Sequence, residues 1–178
     1  MKPFAIIAAS TTMGGIGKNN QLPWHISADL KRFQKITSYA PEGKKNAVIM
    51  GRKTWESLPT RPLPKRINMI ISSTITCNDV APDKDVLVSP SLHNAIAELQ
   101  QIANIHRIFV IGGAKVYEEA IVHPLCNQIY ITHIMNENVD CDTKFPIDKM
   151  VSDYIVYDVS FIQKEDQWIY AFENYIRR

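Results

Sequence analysis

Short apolar runs bounded by turn residues lie at 4–9, 47–50, 67–71, 86–88, 108–111 and 129–134, and each predicts a strand. Between several of them the apolar positions change to helical spacing, which predicts helices over 26–37, 52–58, 92–103 and 114–122. Strands alternating with helices build βαβ units, because a parallel strand needs a crossover to reach its neighbour. Near the C-terminus the period falls to two. Ile155, Tyr157, Val159 and Phe161 alternate with less apolar positions, and Trp168, Tyr170 and Phe172 do so again, the pattern of an antiparallel pair at a sheet edge. The expected architecture is a single α/β domain over residues 1–178, with a mostly parallel mixed sheet of about eight strands, an antiparallel C-terminal edge and about four flanking helices.

One residue breaks this pattern. Ile26, Leu30, Phe33 and Ile36 form the apolar stripe of the first helix, and Asp29 lies among them, three residues after Ile26 and four before Phe33. An ionised carboxylate on apolar surroundings costs several kcal/mol unless a cation, hydrogen-bond donors or a ligand meets it. If Ser27 is the N-cap, Asp29 also sits in the first turn, where an acid simply complements the helix dipole. Both readings stand at this level.

Composition narrows the partners. Twenty Lys and Arg against 18 Asp and Glu leave a formal net charge of +2, too little to argue for nucleic acid or a membrane surface. No apolar stretch approaches the ~20 residues of a membrane span, and 4–9 is too short for a signal-peptide core. Cys77, Cys126 and Cys141 form no C-x-x-C pair, and the five histidines have no metal-binding spacing, so a soluble protein of a reducing compartment without a metal is expected.

Two strand ends request an anion. In Met50-Gly51-Arg52-Lys53-Thr54 and in Ile111-Gly112-Gly113-Ala114-Lys115 a buried strand meets glycine and then a helix whose first turn carries cations. Cations there oppose the helix dipole, and a bound phosphate would reverse that penalty. A third strand ends in Ser72-Ser73, whose hydroxyls can bind phosphate oxygen. Ligands of α/β sheets bind at carboxyl ends of parallel strands, and a dinucleotide offers several phosphates. Met13-Gly14-Gly15-Ile16-Gly17 is neither a Rossmann fingerprint nor a P-loop, and 13–24 reads as a mobile lid.

These motifs, taken in order, resemble dihydrofolate reductase along essentially the whole chain: Leu22-Pro23-Trp24; Asp29-Leu30 with Phe33; Val48-Ile49-Met50-Gly51-Arg52-Lys53-Thr54-Trp55; Arg61-Pro62-Leu63-Pro64 with Arg66; Val110-Ile111-Gly112-Gly113-Ala114-Lys115-Val116-Tyr117; and Ile131-Thr132-His133. The resemblance implies reduction of 7,8-dihydrofolate to tetrahydrofolate by hydride transfer from NADPH, for one-carbon metabolism. It makes Asp29, with Leu22 and Thr132, the catalytic group, and Asp29 the holder of the pterin amine and ring N–H with an ordered water. Ile7, Ala8, Leu22, Leu30, Phe33, Leu58, Leu63 and Ile111 would wall the substrate, and Arg66 would take its glutamate carboxylate. Arg52, Lys53, Thr54, Ser72, Ser73 and Lys115 would surround the cofactor phosphates, with Ala9, Ile16 and Tyr117 at the nicotinamide, and Gly51, Ala114, Val116 and a cis Gly112-Gly113 peptide would complete the cofactor site. Lys65, where the family often has glycine, Cys141, where it usually has glycine or serine, and Pro59-Thr60 depart from the pattern.

The resemblance also implies a cytoplasmic monomer acting on small molecules. Two other readings compete: a pterin or pyrimidine reductase on the same scaffold, such as that of riboflavin synthesis, and a catalytically silent folate or nucleotide binder.

Overall fold

The structure, a computed structural model, describes residues 1–76, 79–80 and 83–178. Cys77 lies outside the described residues. In chain order the elements are β1 (Phe4–Thr11), β2 (Gly15–Gly17), α1 (Ser27–Ser38), β3 (Lys45–Gly51), α2 (Arg52–Ser57), β4 (Arg66–Ile71), β5 (Val86–Ser89), α3 (Leu92–Gln101), β6 (Ile105–Val110), α4 (Ala114–Val122), β7 (Cys126–Ile134), β8 (Thr143–Lys144), α5 (Ile147–Asp153), β9 (Tyr154–Val159), β10 (Gln163–Glu165) and β11 (Trp168–Arg177).

Nine of the strands form one sheet in the order β10-β11-β7-β1-β6-β3-β4-β5, with β9 also pairing β11. The six strands from β7 to β5 are parallel, and β11 runs antiparallel to β7, β9 and β10. The expected α/β class and antiparallel edge are therefore present. The two elements without a prediction of their own, α5 and β10, are too short to establish a period. Phe161 lies beyond β9 and is almost fully exposed, so it is not part of the alternating strand.

Each central strand buries both faces, as a parallel sheet covered by helices requires. Phe4, Ile6, Ala47, Ile49 and Met69 pack with Leu99 of α3 and Ala120 of α4 on one side. Ala5, Ile7, Val48, Met50 and Phe109 pack with Trp55 and, from α1, Phe33 and Ile36 on the other.

Two local expectations fail at the first helix. Ser27 is not the cap but the first helical residue, and the capping position belongs to Ile26, which has no side chain to offer. Glu165, from β10, does the work: its Oε1 accepts from the Ser27 N–H at 2.6 Å and its Oε2 from the Ala28 N–H at 3.2 Å. Leu30 leaves the buried stripe, being 46% exposed, whereas Ile26 is buried and Phe33 and Ile36 are partly so.

Part of the 13–24 segment is paired with a distant strand. Gly15 and Gly17 of β2 pair with Lys144 and Thr143 of β8. A β-carbon on Gly15 would stand 2.6 Å from the Cys141 sulfur, so this glycine permits close approach, and Cys141 fills the space above it.

Candidate active site

The three strand ends that request anions are neighbours in space, because β6, β3 and β4 are adjacent in the sheet. The Gly51 N–H donates to the Gly112 carbonyl at 2.8 Å, and the Ile111 N–H donates to the Ile49 carbonyl at 2.9 Å, so the two glycine turns touch. The Gly112-Gly113 peptide is cis, and so is Arg61-Pro62. Gly112 has φ of 122°, and a β-carbon there would lie 3.2 Å from the Tyr117 hydroxyl. A β-carbon on Gly113 would lie 3.2 Å from Thr54 Oγ1. Any side chain would fill this cradle.

Neither α2 nor α4 carries an acid in its first turn. Lys53 and Lys115 are exposed there, Thr54 and Ala114 half-buried, and Val116 buried against the core. Arg52 is not free: its Nη1 donates to Glu56 Oε1 at 2.8 Å. Ser72 Oγ accepts from the Thr74 and Ile75 N–H groups at 3.1 Å each, while Ser73 is exposed. The Ser72 hydroxyl thus shapes its own turn.

The other half of the site is built on β1, β7 and α1. Thr132 of β7 lies beside Ala9 of β1 in the register, and its Oγ1 donates to Asp29 Oδ1 at 2.5 Å. Burial pushes the Asp29 carboxyl above its usual range, while the Thr132 hydroxyl and the Arg32 guanidinium pull it back. Among the described residues Oδ2 has no hydrogen-bond partner, which leaves acceptor sites for an incoming donor. The buried indole N–H of Trp24 has no partner among the described residues either. Trp24 packs with Ile26, Ala28 and Tyr170 around the start of α1.

Ile7, Phe33, Leu58, Leu63 and Ile111 come together in one apolar cluster. Tyr117 belongs to the opposite cluster, Ala8 and Ile16 border it, and Ala9 packs against the cluster that holds Trp24. Tyr117 donates its hydroxyl to the Ile7 carbonyl at 2.9 Å, tying α4 to β1. Leu22 and Leu30 join none of these clusters, being 52% and 46% exposed.

Arg66 is 3% exposed, far more buried than a free anion receptor. Its Nη1 donates to Thr37 Oγ1 at 2.7 Å and its Nε to the Pro64 carbonyl at 3.0 Å. The Thr37 hydroxyl passes the bond on to the Phe33 carbonyl at 2.7 Å. Nη2 has no partner among the described residues. Lys65 just before it has φ of 62°, which accounts for a position where the family often has glycine.

A family model described as dihydrofolate reductase matches residues 3–177. The chain belongs to the dihydrofolate reductase family. It is similar to dihydrofolate reductase of Drosophila melanogaster, 42% identical over 149 residues covering 82% of this chain and 80% of that one. It is 44% identical to dihydrofolate reductase of Schistosoma mansoni over 149 residues, covering 79% of this chain and 76% of that one. The bifunctional dihydrofolate reductase-thymidylate synthase of Daucus carota is 36% identical over 183 residues, 99% of this chain but 34% of that protein. This chain thus spans about a third of that relative's length.

Measured against the family motifs, two site features escaped the sequence reading. Trp24 was visible within Leu22-Pro23-Trp24 but had no role, since only the fold leaves its N–H unpartnered. Glu165 gave no local signal, because it reaches α1 across 138 residues.

Proposed function

We propose that this dihydrofolate reductase family member reduces 7,8-dihydrofolate to tetrahydrofolate with NADPH. The observation that carries the reading is Asp29: a carboxylate set among apolar residues, oriented by one donor through Oδ1, with Oδ2 left to accept. A pterin offers an exocyclic amine and a ring N–H side by side, which a carboxylate can take in a bidentate pair. The Ile7, Phe33, Leu58, Leu63 and Ile111 cluster supplies apolar walls for its rings. The unpartnered Trp24 N–H offers a place for an ordered water, which supports the expected network around Asp29.

The residues fit a dinucleotide. Adjacent strand ends present a glycine cradle, unopposed helix N-termini and the cations of Arg52, Lys53 and Lys115, while Thr54, Ser72 and Ser73 add hydroxyls. Bound there, NADPH supplies the hydride. Asp29 orients the pterin and polarises it toward protonation at N5, with the proton arriving through water past the 13–24 segment. Tyr117, held on the Ile7 carbonyl, would border the nicotinamide. Arg66 takes the glutamate carboxylate through Nη2. The reading takes small molecules as the partners of this site, in keeping with the near-balanced charge. No helix among the described residues is long and apolar enough to cross a membrane.

The deciding experiment follows NADPH oxidation by purified protein given dihydrofolate, folate, a simple dihydropterin or a riboflavin precursor. Turnover is expected to be highest with dihydrofolate. No turnover with it would overturn the reading, and preference for the riboflavin precursor would favour the pyrimidine reductase.

A further inference from the structure

Arg32 has no part in the reaction above, yet the fold holds it in place beside Asp29. The two lie three residues apart on α1, so they share a helix face with Cβ atoms about 5–6 Å apart. Beneath them β7 and β11 run antiparallel, with Thr132 opposite Phe172 and Tyr130 opposite Asn174. Alternate residues of a strand share a face, so these four side chains form one platform. Asp29 docks on it through Thr132. The Arg32 guanidinium docks on the remainder: 4.7 Å over the Phe172 ring, 5.8 Å over the Tyr130 ring, and donating from Nη2 to Asn174 Oδ1 at 2.6 Å.

A solvated arginine would sample many rotamers. This one lies over an aromatic ring and is hydrogen-bonded, and it makes no ion pair with Asp29, so its charge is held near the carboxylate without occupying it. The other groups near Asp29 are the Tyr117 phenol from α4, held neutral by burial and Asp29, and the Tyr170 phenol from β11, held neutral by burial, Glu165 and Asp29. The Glu165 carboxylate from β10 is taken up by the Ser27 and Ala28 N–H groups. Around Arg32 stand Tyr130 of β7 and Tyr157 and Asp158 of β9. Among the described residues, Arg32 is the cation whose charge reaches Asp29.

We propose that Arg32 is a positioning residue: clamped on Phe172 and Asn174, its charge sets how tightly the Asp29 site holds a proton, and hence the pH at which hydride transfer falls off. This rests on the reductase reading, but the first measurement below does not.

Arg32→Gln removes the charge and keeps a donor for Asn174, whereas Arg32→Lys keeps the charge and loses the planar fork. The Asp29 carboxyl is titrated by carbon-13 NMR in the protein without ligands, with Asp29→Asn assigning the resonance. The pH profile of hydride transfer is then measured in single turnover. A neighbouring cation that is not ion-paired shifts a partly buried carboxyl by about one pH unit, so Arg32→Gln is expected to move both midpoints up by that amount. Arg32→Lys is expected to leave them near the parent's. Unmoved midpoints in folded Arg32→Gln would overturn the proposal, and so would an equal shift in Arg32→Lys. If Arg32→Gln does not fold, Asn174→Ala releases the guanidinium and should shift the NMR midpoint upward by less, and no shift there would also overturn it. If dihydrofolate is not reduced at all, the reductase reading fails while the NMR titration still decides Arg32.

Discussion

Arg52 Nη1 donates to Glu56 Oε1 at 2.8 Å, one helical turn away, so the guanidinium proposed for a cofactor phosphate already has an anion. The pair is half-exposed, and such i,i+4 pairs are weak. Glu56→Gln is therefore expected to tighten NADPH binding about twofold, by freeing Arg52. Arg52→Ala is expected to weaken NADPH about tenfold to a hundredfold, the loss of one charged contact, and NADH much less. Fluorescence titration with both cofactors checks this, and an equal loss for both would remove Arg52 from the 2′-phosphate.

Asp29→Asn is expected to lower turnover of dihydrofolate sharply at neutral pH, with partial recovery at low pH, where substrate protonated in solution is delivered directly. A single-turnover pH profile reads this out. A profile superimposable on the parent's would return Asp29 to a helix-dipole role.

The same substitution is expected to raise stability at neutral pH. The folded Asp29 carboxyl holds its proton to higher pH than the unfolded one, chiefly through burial. As pH rises through the ordinary carboxyl range the unfolded state ionises first, so folding loses stability until the folded carboxyl has ionised too. Thermal unfolding of the protein without ligands should show Asp29→Asn more stable than the parent at pH 7, with the gap closing as pH falls to the bottom of that range. A constant gap would exclude titration as the cause.

Arg66→Ala is expected to weaken dihydrofolate but hardly a simple dihydropterin, which has no carboxylate tail. Because Arg66 is buried and holds Thr37, the variant should also lose about 1–3 kcal/mol of stability, as an acceptor is left unpaired. Urea unfolding and paired ligand titrations separate the two effects. Equal weakening of both ligands would show that Arg66 acts only through α1.

Gly112→Ala is expected to cost about 1–3 kcal/mol, because the positive φ disfavours a β-carbon and the Tyr117 ring stands where it would go. Displacing that ring should weaken cofactor binding as well. Unchanged urea unfolding would show that the turn relaxes around the methyl.

The chain by itself determined the parallel strands, four of the helices and the oddity of Asp29, because periodicity is local: a residue's face follows from neighbours two or four positions away. It also marked the glycine-and-cation turns after the strands that became β3 and β6, since those turns are continuous in sequence. Only the tertiary structure could make them one site. Whether Gly51 meets Gly112 depends on β3 lying beside β6, a pairing of strands more than fifty residues apart that no local pattern encodes. The same holds for the cap that Glu165 lends to α1, for the exposure of Leu30 within an apolar stripe, and for Arg32. Its charge was in plain view in the sequence, but its place beside Asp29 comes from the register that sets Phe172 opposite Thr132, because a contact across strands is fixed by the packing of the whole sheet.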